Sequence, residues 1–279
     1  MTAPRTLRVA HSPDSDDAFM FWALAAGRIG TGDLRYEHVL RDIETLNLEA
    51  ERGTYEVTAL SFHAYAYLAD RYALLPHGAS FGDGYGPILV ARAGFREADV
   101  AGSTVAVPGE RTTAALALAL WRKGLRTRVM PFDAIQPAVA SGEVPAGLLI
   151  HEGQLTYADE GLAKIVDLGE WWKAETGLPL PLGGNGIRKD LGPALCAEVS
   201  RHLRASIAHG LEHRAEGLDH AGRFSRGLTR ERTDRFVGMY VNDWTLDYGE
   251  RGRRALALLL GRGHAAGLLP AKVVPEFTE

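Results

Sequence analysis

Apolar positions in this chain come in short runs separated by amphipathic stretches. Residues 7–11 read as a strand, and Asp16 or Asp17 can cap a helix reaching about Ala26, since a carboxylate there accepts unpaired backbone N–H groups. Residues 42–52 carry a helical period. Residues 57–61 read as a short buried strand, followed by a helix through Ala69, and 88–92 as a further strand. The alternation restarts with strand 104–107, helix 112–123, strand 128–130, helix 134–141 and strand 146–150. Short strands joined by helices of this size predict βαβ units and a mostly parallel sheet. After Gly186 the character changes. Leu195, Val199, Leu203 and Ile207 fall four apart on one face of a helix over 193–211, and the rest is mainly helical.

This order predicts an α/β protein of two lobes. Residues 1–94 with a return from 187–279 form the first, larger lobe, and 95–186 form an inserted second lobe. Two crossings between lobes leave a cleft, a favoured place for a ligand, with hinge closure the expected motion.

Composition narrows the partners. The chain has 279 residues, 46% hydrophobic and 24% charged, an ordinary globular balance. A formal net charge of −4 offers no general attraction to polyanions, so nucleic acid is not an expected partner. No run approaches the roughly 20 apolar residues that cross a bilayer. Asp14, Asp16 and Asp17 interrupt the first apolar stretch, which does not read as a signal peptide, so a cytoplasmic location is expected. The single cysteine, Cys196, cannot form an internal disulfide and reads as a small buried hydrophobe.

Four segments carry candidate chemistry. Ser12-Pro13-Asp14-Ser15-Asp16-Asp17 joins a strand to a helix, where open α/β sheets bind ligands; its three acids argue against a phosphate there. Pro108-Gly109-Glu110-Arg111-Thr112-Thr113 offers free N–H groups, two hydroxyls and a guanidinium suited to a carboxylate, or an ordinary threonine cap. Leu148-Leu149-Ile150-His151-Glu152-Gly153 ends an apolar strand at a histidine able to move protons near neutrality. Lone histidines are more often structural, and without the second histidine of HExxH no zinc site is expected. Alternation on a strand turns Glu152 away from His151. Residues 176–186, rich in proline and glycine, read as an extended segment leaving the second lobe whose backbone can line the cleft. Gly78-Ala79-Ser80-Phe81-Gly82 matches GxSxG but precedes a strand, so no nucleophile elbow is expected. His209 and His213, four apart, read as solvated helix residues.

Taken together, SPDSDDAFMFWAL (12–24), VTALSFHAY (57–65), PGERTTAALAL (108–118), LLIHEGQLTY (148–157), TGLPLPLGGNGIRKDL (176–191) and YVNDWTLDYGERG (240–252) span nearly the whole chain. In these segments the chain resembles the 1,4-dihydroxy-6-naphthoate synthase family of the futalosine route to menaquinone. The resemblance implies a two-lobed periplasmic-binding-protein-like (type II) fold in an intracellular enzyme that needs no cofactor. The implied reaction is a lyase splitting cyclic dehypoxanthinylfutalosinate into 1,4-dihydroxy-6-naphthoate and dihydroxyacetone, with His151 as base. The implied partner is a small aromatic carboxylate substrate, bound at Ala59, Leu60 and Ser61 and at Thr112 and Thr113. Ser12, Asp14 and Arg111 are added as expected contacts from their neighbourhood. Many members begin the first motif Ser-Pro-Cys-Pro-Asn-Asp, where this chain has Ser-Pro-Asp-Ser-Asp-Asp, a subgroup variant. Chorismate dehydratase of the same pathway, a solute-binding receptor and a non-catalytic sensor are the alternatives. The oligomeric state is left open, a homodimer included.

Overall fold

The computed structural model describes residues 4–278. Its strands in chain order are β1 (Arg5–His11), β2 (Leu34–Leu40), β3 (Val57–Ser61), β4 (Tyr72–Leu74), β5 (Ser80–Gly82), β6 (Ile88–Arg92), β7 (Thr104–Val107), β8 (Arg126–Val129), β9 (Ala146–Leu149), β10 (Leu162–Asp167) and β11 (Leu180–Arg188). They form two sheets. The first runs β2-β1-β3-β11-β4 with β5 also on β11, and the second runs β10-β6-β9-β7-β8. The expected mixture of strands and helices is present, but the sheets are mixed and not mostly parallel: β1–β2, β1–β3, β7–β8 and β7–β9 pair in parallel, whereas β6–β9, β6–β10 and all three pairings of β11 are antiparallel.

Helices cover the sheets, which is why β3 and β9 are buried at every position and read as continuous apolar runs. On the first sheet, Phe19 and Met20 of the helix Ser15–Ala25 pack with Val199, Leu203 and Ile207 of the helix Pro193–Glu212. On the second, Ile135 and Val139 of the helix Phe132–Ser141 pack on Val90 and Ala106. Cys196 is buried and free. His209 and His213 stack at 4.0 Å, and the His213 ring contacts the His209 carbonyl.

Sheet membership changes earlier than the expected lobe boundaries at 94/95 and 186/187. β6 pairs with β9 and β10, so 83–87 is the outgoing crossing; β11 pairs with β3, β4 and β5, so the return lies between residues 168 and 179. An apolar run announces a strand but not the sheet that receives it. The two crossings touch backbone to backbone. A Cβ at Gly169 would overlap the Tyr85 carbonyl, and one at Gly86 would lie 2.9 Å from the Gly169 nitrogen.

Candidate active site

One cavity lies where the two sheets face each other. It is lined by Ser12, Asp14, Ala59, Leu60, Ser61, Thr112, Thr113 and His151, and by residues of the glycine-rich strand β11. Its volume is about 120 Å³. Eight of the nine expected site residues thus share one space, although they come from four separate segments.

The first wall is built from donors. β3 ends at Ser61, whose N–H donates to Asn47 Oδ1 at 2.9 Å and whose hydroxyl oxygen accepts from Asn47 Nδ2 at 3.1 Å. The Ser61 hydroxyl hydrogen is left to donate elsewhere. Thr112 caps the helix Thr113–Trp121: its Oγ1 accepts from the Ala115 N–H and donates to the Gly109 carbonyl. Thr113 Oγ1 accepts from the His63 N–H at 3.2 Å, again leaving a hydroxyl hydrogen. Thr113 and Ala114 sit in the first turn, where backbone N–H groups have no partner inside the helix. Two hydroxyls and this helix start suit a carboxylate.

The opposite wall holds the titratable groups. β9 stops at Leu149, and the chain turns at His151 into the short helix Gly153–Thr156. His151 Nδ1 lies 2.9 Å from Asp14 Oδ2. Asp14, its side chain only 3% exposed, arrives from the first lobe at the start of the helix Ser15–Ala25. With Nδ1 facing a carboxylate, the hydrogen is assigned to Nδ1. Nε2, buried and without a hydrogen-bond partner, then carries the free lone pair when the ring is neutral. Burial alone pushes the imidazole down, but the Asp14 charge, helped by Glu152, more than offsets it and the net shift is upward. Burial likewise opposes ionisation of Asp14, yet His151 and Arg226 hold it well below the usual carboxylate range.

Arg226 joins the two lobes at this point. Its guanidinium lies 2.6 Å from Asp14 Oδ1 and 2.7 Å from Glu152 Oε2. Glu152 also accepts from Ser15 Oγ at 3.2 Å. The strand argument that turned Glu152 away does not apply, because the strand has already ended. Glu152 is buried and acts on His151 through charge, not through a direct hydrogen bond. Asp14, His151 and Glu152 bring ligand atoms within 4.8 Å of one another, a spacing a metal ion accepts. The place between the two carboxylates is taken by the Arg226 guanidinium.

The remaining acids differ in their partners. Asp17 accepts from the Ser12 N–H at 2.8 Å and Oγ–H at 2.9 Å, yet burial still raises it to about 6. Asp16 lines the cavity and receives nothing beyond its own backbone N–H. Burial, with Asp17, Asp14 and Glu152 around it, pushes Asp16 well above the usual carboxylate range.

Residues 7–265 match the family of menaquinone biosynthesis proteins. A protein of Thermus thermophilus called 1,4-dihydroxy-6-naphthoate synthase is 43% identical over 97% of this chain and 98% of its own length. Its namesake in Streptomyces coelicolor is 39% identical over 95% of each chain. The chain belongs to this family. The naphthoate synthase family is one of enzymes, and its fold here is periplasmic-binding-protein-like. A crystal structure of an Archaeoglobus fulgidus protein, 50% identical, covers 94% of this chain and 98% of that one at a TM-score of 0.91. The alkanesulfonate-binding protein of Xanthomonas axonopodis shares the fold at a TM-score of 0.71 and 15% identity, covering 99% of this chain and 98% of its own.

Within this naphthoate synthase scaffold one expected contact is corrected. Arg111 does not line the cavity. Its guanidinium stacks 3.7 Å above the Tyr67 ring and lies 3.6 Å from Glu51 Oε1, in a separate surface depression. The cause is local: the Arg111 N–H donates to Glu44, which turns the side chain outward. Ser80 of the GxSxG decoy lines the cavity but starts β5, and no helix follows it. Arg226, Tyr240 and Asn185 were not singled out from sequence. Tyr240 lines the cavity and donates to Gln154 Oε1 at 2.8 Å. Asn185 donates to the Gly78 carbonyl, which leaves its buried Oδ1 without a partner beside the cavity. Asn185 lay inside the glycine-rich motif. Arg226, in Ser225-Arg226-Gly227, carried no periodic signal.

Proposed function

We propose that this chain is a carbon–carbon lyase that splits cyclic dehypoxanthinylfutalosinate into 1,4-dihydroxy-6-naphthoate and dihydroxyacetone, with His151 as the general base. One observation carries the reading: a histidine whose Nδ1 is held by a buried carboxylate and whose Nε2 is free, in a cavity whose other wall is made of donors. The donors suit the aromatic carboxylate of the substrate: the Ser61 and Thr113 hydroxyls and the helix start capped by Thr112. Nε2 then takes a proton from carbon, and Asp14 stabilises the imidazolium that forms. Closure excludes water and strengthens both sets of contacts. Aromatisation of the departing naphthoate supplies driving force, so the route calls on no cofactor. The name carried by relatives at 43% and 39% identity supports this naphthoate product.

The test is incubation with cyclic dehypoxanthinylfutalosinate, following both products by mass. His151→Ala should lower kcat by about 10²–10⁴-fold, the usual contribution of a positioned base, with little change in substrate affinity. Wild-type turnover in that variant removes His151 from the mechanism. Tight binding by the unmodified protein with no product favours a non-catalytic binding protein instead.

A further inference from the structure

A lyase returns to its products every proton that its base removes. His151 covers the removal, and the return calls for a second group. Four carboxylic side chains lie in or beside the cavity that His151 lines, and three have side-chain partners. Asp14 faces His151 and the Arg226 guanidinium, Glu152 faces Arg226 and Ser15, and Asp17 takes two hydrogen bonds from Ser12. Asp16 is the remaining one. It stands in the first turn of the helix Ser15–Ala25, borders the same cavity as His151, and has only its own backbone N–H as donor.

We infer that Asp16 is a second catalytic residue, the acid that donates a proton to the oxygen of the departing three-carbon fragment. The inference rests on the lyase reading above and deepens it. The substrate C–H bond breaks and its proton goes to His151 Nε2. The freed electron pair moves into the ring as it becomes aromatic. The bond to the three-carbon fragment breaks, and that fragment leaves with the electron pair on an enolate oxygen. The Asp16 O–H bond breaks and its proton neutralises that oxygen, giving the enol that becomes dihydroxyacetone. His151 then carries one proton too many and Asp16 one too few, and transfer between them through cavity water resets both.

The surroundings support an un-ionised Asp16. Asp14 and Asp17 flank it on its own element, and Glu152 faces it from the second lobe. The neutral Tyr240 hydroxyl also lies near, from the helix Arg230–Tyr240. The cations nearby, Arg226 and protonated His151, are already paired with Asp14 and Glu152. Acid–base pairs in enzymes are recognised by environments that drive two titrating groups in useful directions.

The test compares Asp16→Asn with wild type across pH. Asparagine keeps the shape and one N–H donor but holds no transferable proton. In wild type, kcat/KM should rise with pH as His151 loses its proton and fall again as Asp16 loses its own. In Asp16→Asn, kcat should drop by about 10²-fold or more, and the fall at high pH should disappear from the residual rate. Unchanged kcat, or a reduced rate that keeps the same high-pH fall, overturns the assignment. A substrate-free arm separates this inference from the lyase reading. The infrared difference between wild type and Asp16→Asn at neutral pH should contain the carbonyl stretch of a protonated carboxyl. A carboxylate band in its place overturns the inference even if turnover is normal. Absence of turnover in wild type alongside the protonated band overturns the lyase reading instead.

Discussion

At the scale of single residues, the behaviour of the site turns on Asp14. It is the group that faces His151 Nδ1. Removing its charge by Asp14→Asn should let burial dominate and bring the imidazole down. The low-pH limb of kcat/KM should then move to lower pH, and the plateau rate should fall because a weaker base remains. A low-pH limb left in place would show that Asp14 does not set the histidine. Stability runs the other way. His151 is raised in the folded protein, so its pair with Asp14 stabilises fully below the unfolded histidine value, about 6.5, and fades as pH rises through the folded value. His151 was legible in the sequence because it ends an apolar strand inside a recognisable motif. Asp14 was legible as a neighbour of the cleft but not as its partner, since the two are far apart in sequence and meet only across the lobes. Arg226 was invisible for another reason. It is the one non-glycine among the described residues with a positive φ, +50°, and that kind of irregularity has no periodicity to detect.

At the scale of elements, β11 shows what patterning reads and what it misses. Its proline and glycines marked an extended segment, but not an interior position between β3 and β4. The glycines answer to neighbours. A Cβ at Gly184 would overlap the Tyr248 hydroxyl and lie 3.2 Å from the Phe62 ring. Gly184→Ala should destabilise the protein by about 1–3 kcal/mol through overpacking, read as a lower urea midpoint with an unchanged slope. An unchanged midpoint would mean that Tyr248 gives way freely. Strands buried along nearly their whole length, such as 57–61, 88–92 and 104–107, were legible to the residue. β2 and β10 were not. Both carry charged residues, their burial is partial, and each pairs along one side only, so neither produces a continuous apolar run.

At the scale of the whole molecule, the two sheets are drawn together by polar contacts. Asp14 meets His151, Arg226 meets Glu152, Tyr240 meets Gln154, and Arg232 lies 2.6 Å from Asp159. The cavity volume of about 120 Å³ is smaller than the roughly 300–1,000 Å³ common for ligand sites, so the lobes are expected to move apart to admit a bicyclic substrate. Small-angle scattering should give a larger radius of gyration for the free protein than for the protein with naphthoate product bound. Identical profiles would exclude that movement. The position of β11 has a further consequence, for the order in which the chain can fold as it is synthesised. β4 and β5 pair with β11 and with no other named strand, and β3 has one edge waiting for it. The first sheet therefore stays unfinished, with an open edge, until more than half the chain has left the ribosome. The second sheet, whose strands all precede β11, can close first. The nascent first lobe depends on its own insertion folding promptly, and that interval is when the chain is most exposed to edge-to-edge association.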